Sequence, residues 1–420
     1  MSAYAGTPRG LDHAVSYAPQ NAAKPSPGRA SKSPSRRAGG TTAPGTRKRR
    51  RRDPLWARLL VVIGATLMMI SGVTVVGVKG LVGAATSNVT QQNLIGAANT
   101  ERQHVSIKGA KTILLVGLDG QGGMMRSDSN ILLHIPASHD RAYLVSLPRD
   151  SYVRIPAYDN GKVPYGGGQN KLNSAFAYGS RGLTGDKALA HGFELLSLTI
   201  KDLTGITPDA GAIIDFHGFK QVVQVLGKVC MYVDEDTTSI HIGHTADGKR
   251  AAPYKINPDG TLHHKIPGVT ANFYAKGNHC FTPSQALDFV RQRDLLANND
   301  FDYGRQRHQQ QLIKAVLKQV VNDGLSSPMK LPGLLSAVGK TMTVDGGGIS
   351  LEDWAFAMRG INPDDMITIK TNNGKFNSQS VPGVGSAEIL SETSMQLLQA
   401  VKDDTVDNFV LAHPDWVATS

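Results

Sequence analysis

Arg126, Arg149, Asp119, Asp128 and Asp150 cluster around the ends of three short apolar runs, where a charged side chain can face a ligand. The runs Ile113–Leu118, Asn130–Ile135 and Ala142–Leu147 are rich in Ile, Leu and Val and bounded by Gly, Ser and Pro, which predicts buried strands. Asp119 follows the first run, Arg126 and Asp128 are expected on the loop entering the second, and Arg149 and Asp150 follow the third. In an open α/β sheet the crevice beyond the strand ends is the usual place for a ligand. Carboxylates there suit a hard, oxygen-seeking cation, and guanidiniums suit phosphate oxygens. Capping and ordinary loop polarity account for any one Asp taken alone. They account less well for the whole set.

A second group of cations follows downstream. Thr282-Pro283 gives an N-cap with Pro at the first helical position for the helix "PSQALDFV", and Arg291 and Arg293 stand at its end. After "DLLANNDFDYG" a long helix is expected over 305–322. Arg305 and Gln309 are four apart and so project from one face of its first turns. The unpaired N–H groups of a helix N-terminus suit an anion. The helix dipole disfavours Arg there, which points to ligand binding, with a surface ion-pair face as the ordinary alternative.

Positioning these groups requires alternating strands and helices. "NKLNSAFAYG" is a short helix, and Asp186–Leu203 carries Leu189, Phe193, Leu196 and Ile200 at helical spacing between an Asp186 cap and a Gly205 stop. "AGAIIDF" reads as a strand and "FKQVVQVLG" as a helix ending at Gly227. The alternation predicts an α/β layered domain. Towards the C-terminus the helix "SLEDWAFAMRG", the strand "DMITIKTN" and the helix "SETSMQLLQAVKD" complete the same domain, and there is no internal repeat.

The net charge of +11 invites a nucleic-acid reading, but its location argues against one. Twelve basic residues up to Arg52 face only Asp12 and Asp53, so +10 belongs to this tail and +1 to the remaining 367 residues. The tail is rich in Ser, Pro, Gly and Ala and lacks apolar periodicity, which predicts disorder. Its end, "RKRRRR", precedes an uncharged run, Leu59–Val78, flanked by Arg58 and Lys79. At ~1.5 Å per residue the run spans one bilayer core, and flanking positive charge stays cytoplasmic. Both tail and run are longer than a cleavable signal peptide needs. The expected plan is a single-pass anchor with everything after Lys79 outside the cytoplasm. Such an exterior allows a disulfide between Cys230, in the strand-like "KVCMYVD", and Cys280; two buried free thiols are the alternative. The segment Asp234–Asn278 between them is expected to be a polar surface insertion.

Other chemistries lack their parts. "GLDGQGG" is not followed by Gly-Lys-Ser/Thr, and no G-x-G-x-x-G opens a helix. His241–His244 and His263-His264 lack the remaining ligands of a zinc site. No G-x-S-x-G or Cys–His arrangement supports covalent hydrolysis.

The series "RSDSNILLHI", "SLPRDSYVRIP", "NKLNSAFAYG", "ALDFVRQR" and "FDYGRQRHQQQ", in this order, resembles the LytR-CpsA-Psr family of bacterial cell-envelope phosphotransferases. The resemblance is firm over Lys111–Val320 and looser to the C-terminus. It implies a three-layer α/β/α sandwich with a mixed central sheet. The corresponding plan is a basic cytoplasmic tail (1–54), a transmembrane helix (55–79), an extracytoplasmic stalk (80–109), a catalytic core (110–325) and a C-terminal α/β extension on the same domain (326–420). It implies transfer of a glycopolymer from a polyprenyl-pyrophosphate carrier to the muramic acid 6-hydroxyl of peptidoglycan, part of the interior resembling a polyprenyl tunnel. Arg126, Arg149, Lys171, Arg291, Arg293, Arg305 and Gln309 would bind the pyrophosphate, and Asp119 and Asp128 would hold Mg²⁺ or Mn²⁺. Asp119, Asp128, Arg149 and Arg305 are then the catalytic set, with Asp150 a candidate base. So many cations repel one another unless an anion or compensating Asp joins them.

Two departures stand out. The segment between Arg293 and Arg305 is a few residues longer than the family pattern, which leaves the placement of Asp300 and Asp302 open, and Cys230 occupies a position often acidic or aliphatic. A carrier pyrophosphatase using water as acceptor, or a non-catalytic regulator or polymer-binding module, would need the same residues. Arabinogalactan, teichoic acid, capsule and a protein-linked glycan all remain open as the polymer, with the Ala, Gly and Arg content pointing towards an actinobacterial wall.

The charge asymmetry gives a test of topology. A reporter fused after Ser420 is expected to be active outside the cytoplasm, and protease added to spheroplasts to remove the domain while sparing the tail. Cytoplasmic protection of the C-terminus would overturn the envelope reading.

Overall fold

The computed structural model describes residues 90–96, 107–119, 125–257, 262–326, 342–358 and 360–418. The basic tail, the Leu59–Val78 span and most of the expected stalk lie outside the described residues. Among the described residues, no helix is long and apolar enough to cross a membrane.

The described residues open with β1 (Thr90–Gln91), β2 (Lys111–Asp119), β3 (Arg126–Ile135), β4 (Ala142–Leu147), β5 (Tyr152–Ile155) and β6 (Gly168–Lys171). Helices α1 (Leu172–Gly179) and α2 (Gly185–Thr204), strand β7 (Ala210–Asp215) and helix α3 (Phe216–Val225) follow. Next come β8 (Val229–Val233), β9 (Thr237–Thr245), β10 (Arg250–Ala251), β11 (Tyr254–Ile256), β12 (Leu262–Lys265), β13 (Val269–Tyr274) and β14 (Gly277–Phe281). Helices α4 (Pro283–Phe289) and α5 (Phe301–Ser326) lead to β15 (Met342–Asp345), α6 (Leu351–Met358) and β16 (Met366–Lys370). The hairpin β17 (Ser378–Val381) and β18 (Gly385–Glu388) and helices α7 (Glu392–Lys402) and α8 (Val406–Ala412) complete the order.

The central sheet has the order β1-β15-β7-β2-β3-β4-β16. It is mixed: β2 is parallel to β7 and antiparallel to β3, and β4 is antiparallel to β3 and parallel to β16. Alternate residues of each strand serve opposite faces. Leu114, Val116, Leu132, Val145 and Leu147 pack with Phe176 of α1, Phe193 and Leu196 of α2 and Leu397 of α7. Ile113, Ile131, Leu133 and Leu144 pack with Trp354 of α6 and Ile313 of α5 on the other face. Both faces are covered, which is why the strands read as continuous apolar runs. Each fully buried Leu or Phe contributes about 1.5–3 kcal/mol.

The expected boundaries move in places. The strand runs of Ile113–Leu118 and Asn130–Ile135 extend to 111–119 and 126–135, so Arg126 and Asp128 sit inside β3 rather than on a loop. Backbone ladder bonds continue past the apolar run because they do not depend on side-chain polarity. Helix α2 is capped at Thr184, with Asp186 in its first turn, and stops at Gly205, which takes φ +70°. Residues 90–96, expected in a polar stalk, join the fold instead. Strand β1 pairs with β15, Leu94 and Ile95 are buried, and the Asp345 carboxylate accepts their backbone N–H groups at 2.8 and 3.0 Å.

The segment after Cys230 is more than a surface loop. Ser239, Ile240 and Ile242 of β9 are buried, and Ser239 Oγ donates to Asp288 Oδ1 at 2.9 Å. The Tyr274 hydroxyl donates to the other Asp288 oxygen at 2.7 Å, and Gln292 Oε1 accepts the Ile240 N–H at 2.9 Å. Burial raises the Asp288 pKa against these bonds. The network ties the insertion to α4, whose N-terminus carries the expected Thr282 cap, closed by Gln285 as a capping box.

Strand β8 alternates Val229, Met231 and Val233 inward with Cys230 and Tyr232 outward. Cys230 faces Cys280 directly in the β8–β14 ladder, and the two form a disulfide. Mass spectrometry of non-reduced peptides is expected to find the Cys230–Cys280 cross-link. Its reduction is expected to lower stability by roughly 4 kcal/mol in the chain-entropy model. Two freely alkylated thiols in native, unreduced protein would contradict the pairing.

Candidate functional site

The β2–β3 ladder breaks at one point. Gly117 pairs with Ser129 and Leu118 with Ser127, so Asp128 is the extra residue of a β-bulge. A bulge re-aims a side chain and is a recurrent device beside functional sites. Gly117 fits this close approach, because a Cβ there would lie 3.0 Å from the Ser129 Cβ. One step on, Asp119 at the end of β2 is the ladder partner of Arg126, which is exposed.

Beyond β4 the chain turns through Pro148–Ser151, closed by the Ser151 N–H on the Pro148 carbonyl at 3.0 Å. Arg149 and Asp150 lie on this turn. Helix α1 docks its start against it: the Leu172 N–H donates to the Ser151 carbonyl and the Asn173 N–H to the Arg149 carbonyl, both at 2.9 Å. Lys171, the last residue of β6 and N-cap of α1, is thereby brought beside Asp150.

The charged groups form a continuous chain. Lys171 Nζ lies 3.0 Å from Asp150 Oδ1, and Asp150 Oδ2 lies 3.4 Å from Arg149 Nε. Arg149 Nη1 donates to Asp128 Oδ1 at 2.7 Å. Arg305 pairs with Asp302 and donates from Nη2 to the Asp128 backbone carbonyl at 3.5 Å. The compensating carboxylates are thus present. Burial works against the Arg149 charge, but Asp128, Asp302 and Asp150 together hold its pKa above the ordinary value. Burial outweighs Asp302 at Arg305, only 6% exposed, and pulls its pKa down. Burial would raise Asp302, yet Arg305 and then Arg149 hold it below the usual carboxylate range.

Helix α5 begins at Phe301, four residues before the expected start, so Arg305 sits in its second turn. The helix is fixed by Gln310, whose amide donates to Ser146 Oγ at 2.8 Å and to the Leu144 carbonyl at 3.2 Å across the sheet. Asp302 and Asp300, both left open by the sequence, take different directions. Asp302 joins Arg305, whereas Asp300 joins Asp234 and Glu235 around Arg307. His308 Nε2 lies 3.5 Å from Asp234 and 3.4 Å from Glu235. Asp234, Glu235 and His308 present ligand atoms within 4.8 Å of one another, but Arg307 already pairs with both carboxylates, so the cluster is accounted for as an ion-pair tie.

Arg293 lies within electrostatic range of Asp302 and Arg305, and its Nε is 3.4 Å from Asp294. Arg291 instead acts on Asp288 and on His241. His241 of β9 was not singled out as a member of this site. Burial, and then Arg291 and Arg293, push its pKa down to about 4, so it is a neutral imidazole at neutral pH beside two guanidiniums. The alternating pattern of β9 carries no signal for this, because the contact is made across the insertion.

Among the polar atoms buried without a hydrogen-bond partner are Nε of Arg305 and Oε1 of Gln309 on α5, together with Oγ of Ser127 and of Ser151 on the neighbouring segments; Nε of Arg149 is met only by the 3.4 Å ion pair with Asp150. Buried donors and acceptors left unmade cost about 1–3 kcal/mol each, so this grouping marks a place for a ligand. Arg305 and Gln309, four apart on α5, supply two of them from one face of the helix.

The LytR_cpsA_psr family model matches residues 79–400. The regulatory protein MsrR of Staphylococcus aureus is 27% identical over 299 residues, covering 70% of this chain and 74% of MsrR. The polyisoprenyl-teichoic acid–peptidoglycan teichoic acid transferase TagU of Oceanobacillus iheyensis is 26% identical over 304 residues, covering 71% and 78%. Among solved structures, protein gbs0355 from Streptococcus agalactiae matches with a TM-score of 0.51 at 23% identity, covering 71% of this chain and 88% of that one, a likeness of fold alone. The family match runs from before the sheet, through every charged residue of the site, and into α7, and on it the chain belongs to the LytR_cpsA_psr family.

Proposed function

We propose that this protein transfers a glycopolymer from a polyprenyl-pyrophosphate carrier to peptidoglycan, leaving a phosphodiester link. The observation that carries the reading is the ion-paired set of Arg149 with Asp128 and Arg305 with Asp302, in which Arg305 is buried and its Nε has no hydrogen-bond partner. The printed name of TagU supports it, since that relative is a polyisoprenyl-linked teichoic acid transferase acting on peptidoglycan. In the proposed reaction the 6-hydroxyl oxygen of muramic acid forms a bond to the phosphorus bearing the sugar and gives up its proton to solvent. The bond from that phosphorus to the bridging oxygen breaks, and polyprenyl phosphate leaves with the electron pair. Such transfer needs chiefly positioning and charge neutralisation.

Arg149 and Arg305 would hold phosphate oxygens, joined by Lys171 and Arg293, with Arg126 and Arg291 at the edge and the Gln309 amide fixing one oxygen. Asp119 and Asp128 would hold Mg²⁺ or Mn²⁺, Asp119 being the last residue of β2 and Asp128 the bulge residue of the paired β3. Bound there, the cation would neutralise charge on the pyrophosphate. Asp150 divides its oxygens between Lys171 and Arg149, which suits it to clamping those cations. The anchor would be Leu59–Val78, with the domain extracytoplasmic. A second reading, a regulator that keeps the anion pocket without turnover, is favoured by the printed name of MsrR alone.

Full-length protein incubated with a lipid-pyrophosphate saccharide, Mg²⁺ and peptidoglycan is expected to give phosphodiester-linked product. Free sugar phosphate would mean a hydrolase, and no product a binder. Arg149→Ala or Arg305→Ala is expected to weaken affinity for a polyprenyl-pyrophosphate analogue by about 1.5–3 kcal/mol, the worth of a hydrogen bond to a charged group.

Asp128→Asn separates metal binding from carrier binding. Turnover is expected to fall and the Mg²⁺ requirement to rise, while carrier binding without Mg²⁺ persists, since a negative charge beside the phosphates has gone. Unchanged metal dependence and rate in Asp128→Asn would make Asp128 purely a partner of Arg149.

A further inference from the structure

We propose that Phe301 and Phe376 form a platform on which a saccharide ring of the glycan acceptor stacks, an inference that rests on the transferase reading. The two rings are 45% and 47% exposed and lie edge to face, with centroids 5.9 Å apart and planes at 67°. Large apolar side chains normally seek burial, so a paired exposure calls for an explanation that a single exposed ring does not.

Both rings adjoin the ion-paired site. Phe301 immediately precedes Asp302, the partner of Arg305. Phe376 packs on Tyr303, centroids 5.1 Å apart, and the Tyr303 hydroxyl donates to Glu388 Oε1 at 2.8 Å. The Glu388 N–H in turn donates to the Asp150 carbonyl at 2.9 Å, next to Arg149. The platform thus joins the start of α5 to the segment leading into β17, and each side is held to the charged chain.

Phe301 is also held at φ +43°, a region where a bulky side chain is strained. Asn299, two residues earlier, takes φ +54° in the same way, so the chain entering α5 is bent on both sides of Asp300. Strain of this kind is retained where the surrounding structure imposes a conformation.

The surroundings favour a saccharide over a lipid tail. The chain neighbours Asn298, Asn299, Asn377, Ser378 and Gln379 are polar and exposed, whereas a polyprenyl chain needs continuous apolar surface. A pyranose ring presents C–H groups to an aromatic face and hydroxyls to an amide rim. The acceptor is favoured over the donor because Arg305 lies in the interior, while peptidoglycan is a mesh that only a projecting surface can meet.

Soluble peptidoglycan glycan strands titrated into the full-length protein without donor test the platform. Wild type is expected to bind them, and Phe376→Ala and Phe301→Asn each to bind about tenfold more weakly, the scale of one aromatic contact. Phe376→Trp should retain binding. Asn accepts positive φ, so Phe301→Asn should keep or raise the thermal midpoint, separating ring loss from unfolding. Wild type that does not bind strands, or variants that bind like wild type, would overturn the proposal. So would an equal loss of affinity for a polyprenyl-pyrophosphate analogue or for the donor saccharide. Strand binding that depends on the rings, with no phosphodiester product, would defeat the transferase reading and leave the platform; product with ring-independent strand binding would defeat the platform alone.

Discussion

A guanidinium taken out of water must be surrounded by carboxylates and carbonyls, and Arg305 imposes that constraint on the site. It is 6% exposed, and its charge is met by Asp302 one turn back on α5 and by the Asp128 carbonyl on β3. Breaking a buried pair from one side costs about 3–5 kcal/mol because the remaining charge is left uncompensated. Helix α5 and the β3 bulge are therefore locked to each other. Arg149 extends the lock to the turn after β4, and Asp150 extends it to Lys171 at the start of α1. Four segments far apart in sequence are fixed by one alternating run of charges.

That alternation also changes what a ligand meets. Packed cations alone would form a pocket of large positive potential. Here Asp128, Asp150 and Asp302 hold the guanidiniums in place without consuming every donor, since the Arg305 Nε keeps no hydrogen-bond partner. An anion entering such a site gains donors already oriented, so little side-chain ordering remains to be lost on binding.

Much of this could be read from the sequence. The apolar runs gave the core of β2, β3 and β4, because strands buried on both faces need no alternation to be recognised. The Thr282-Pro283 start of α4 and the Gly205 stop of α2 were legible because caps depend on local backbone chemistry. The strand position of Asp128 was not, because a bulge is set by the partner strand and leaves no period in its own sequence. The first turn of α5 was missed because Phe301 takes a backbone angle that its residue type disfavours. His241 was missed for a third reason: its neighbours Arg291 and Arg293 are about fifty residues away, and tertiary bonds such as the buried Ser239–Asp288–Gln292 network bring β9 to α4.

Helix α5 explains how these separate parts act together. Consecutive positions on it reach different elements, as 3.6 residues per turn requires. Tyr303 reaches the β17–β18 hairpin through Glu388, Arg305 reaches the bulge, Arg307 reaches Asp234 and Glu235 of the insertion, and Gln310 reaches β4. One rigid helix thus fixes the spacing between the disulfide-closed insertion and the charged turn after β4. Arg307 does not touch the Arg149–Arg305 chain, yet it holds the segment that carries Phe301 into the helix through its pair with Asp300. The connection between α4 and α5 is accordingly tied where it enters α5: by Glu235, whose second oxygen accepts the Asn298 N–H at 2.8 Å, and by Asp300. A connection that would otherwise loosen the site is thereby a fixed edge of it, and the exposed ring of Phe301 stands on that edge.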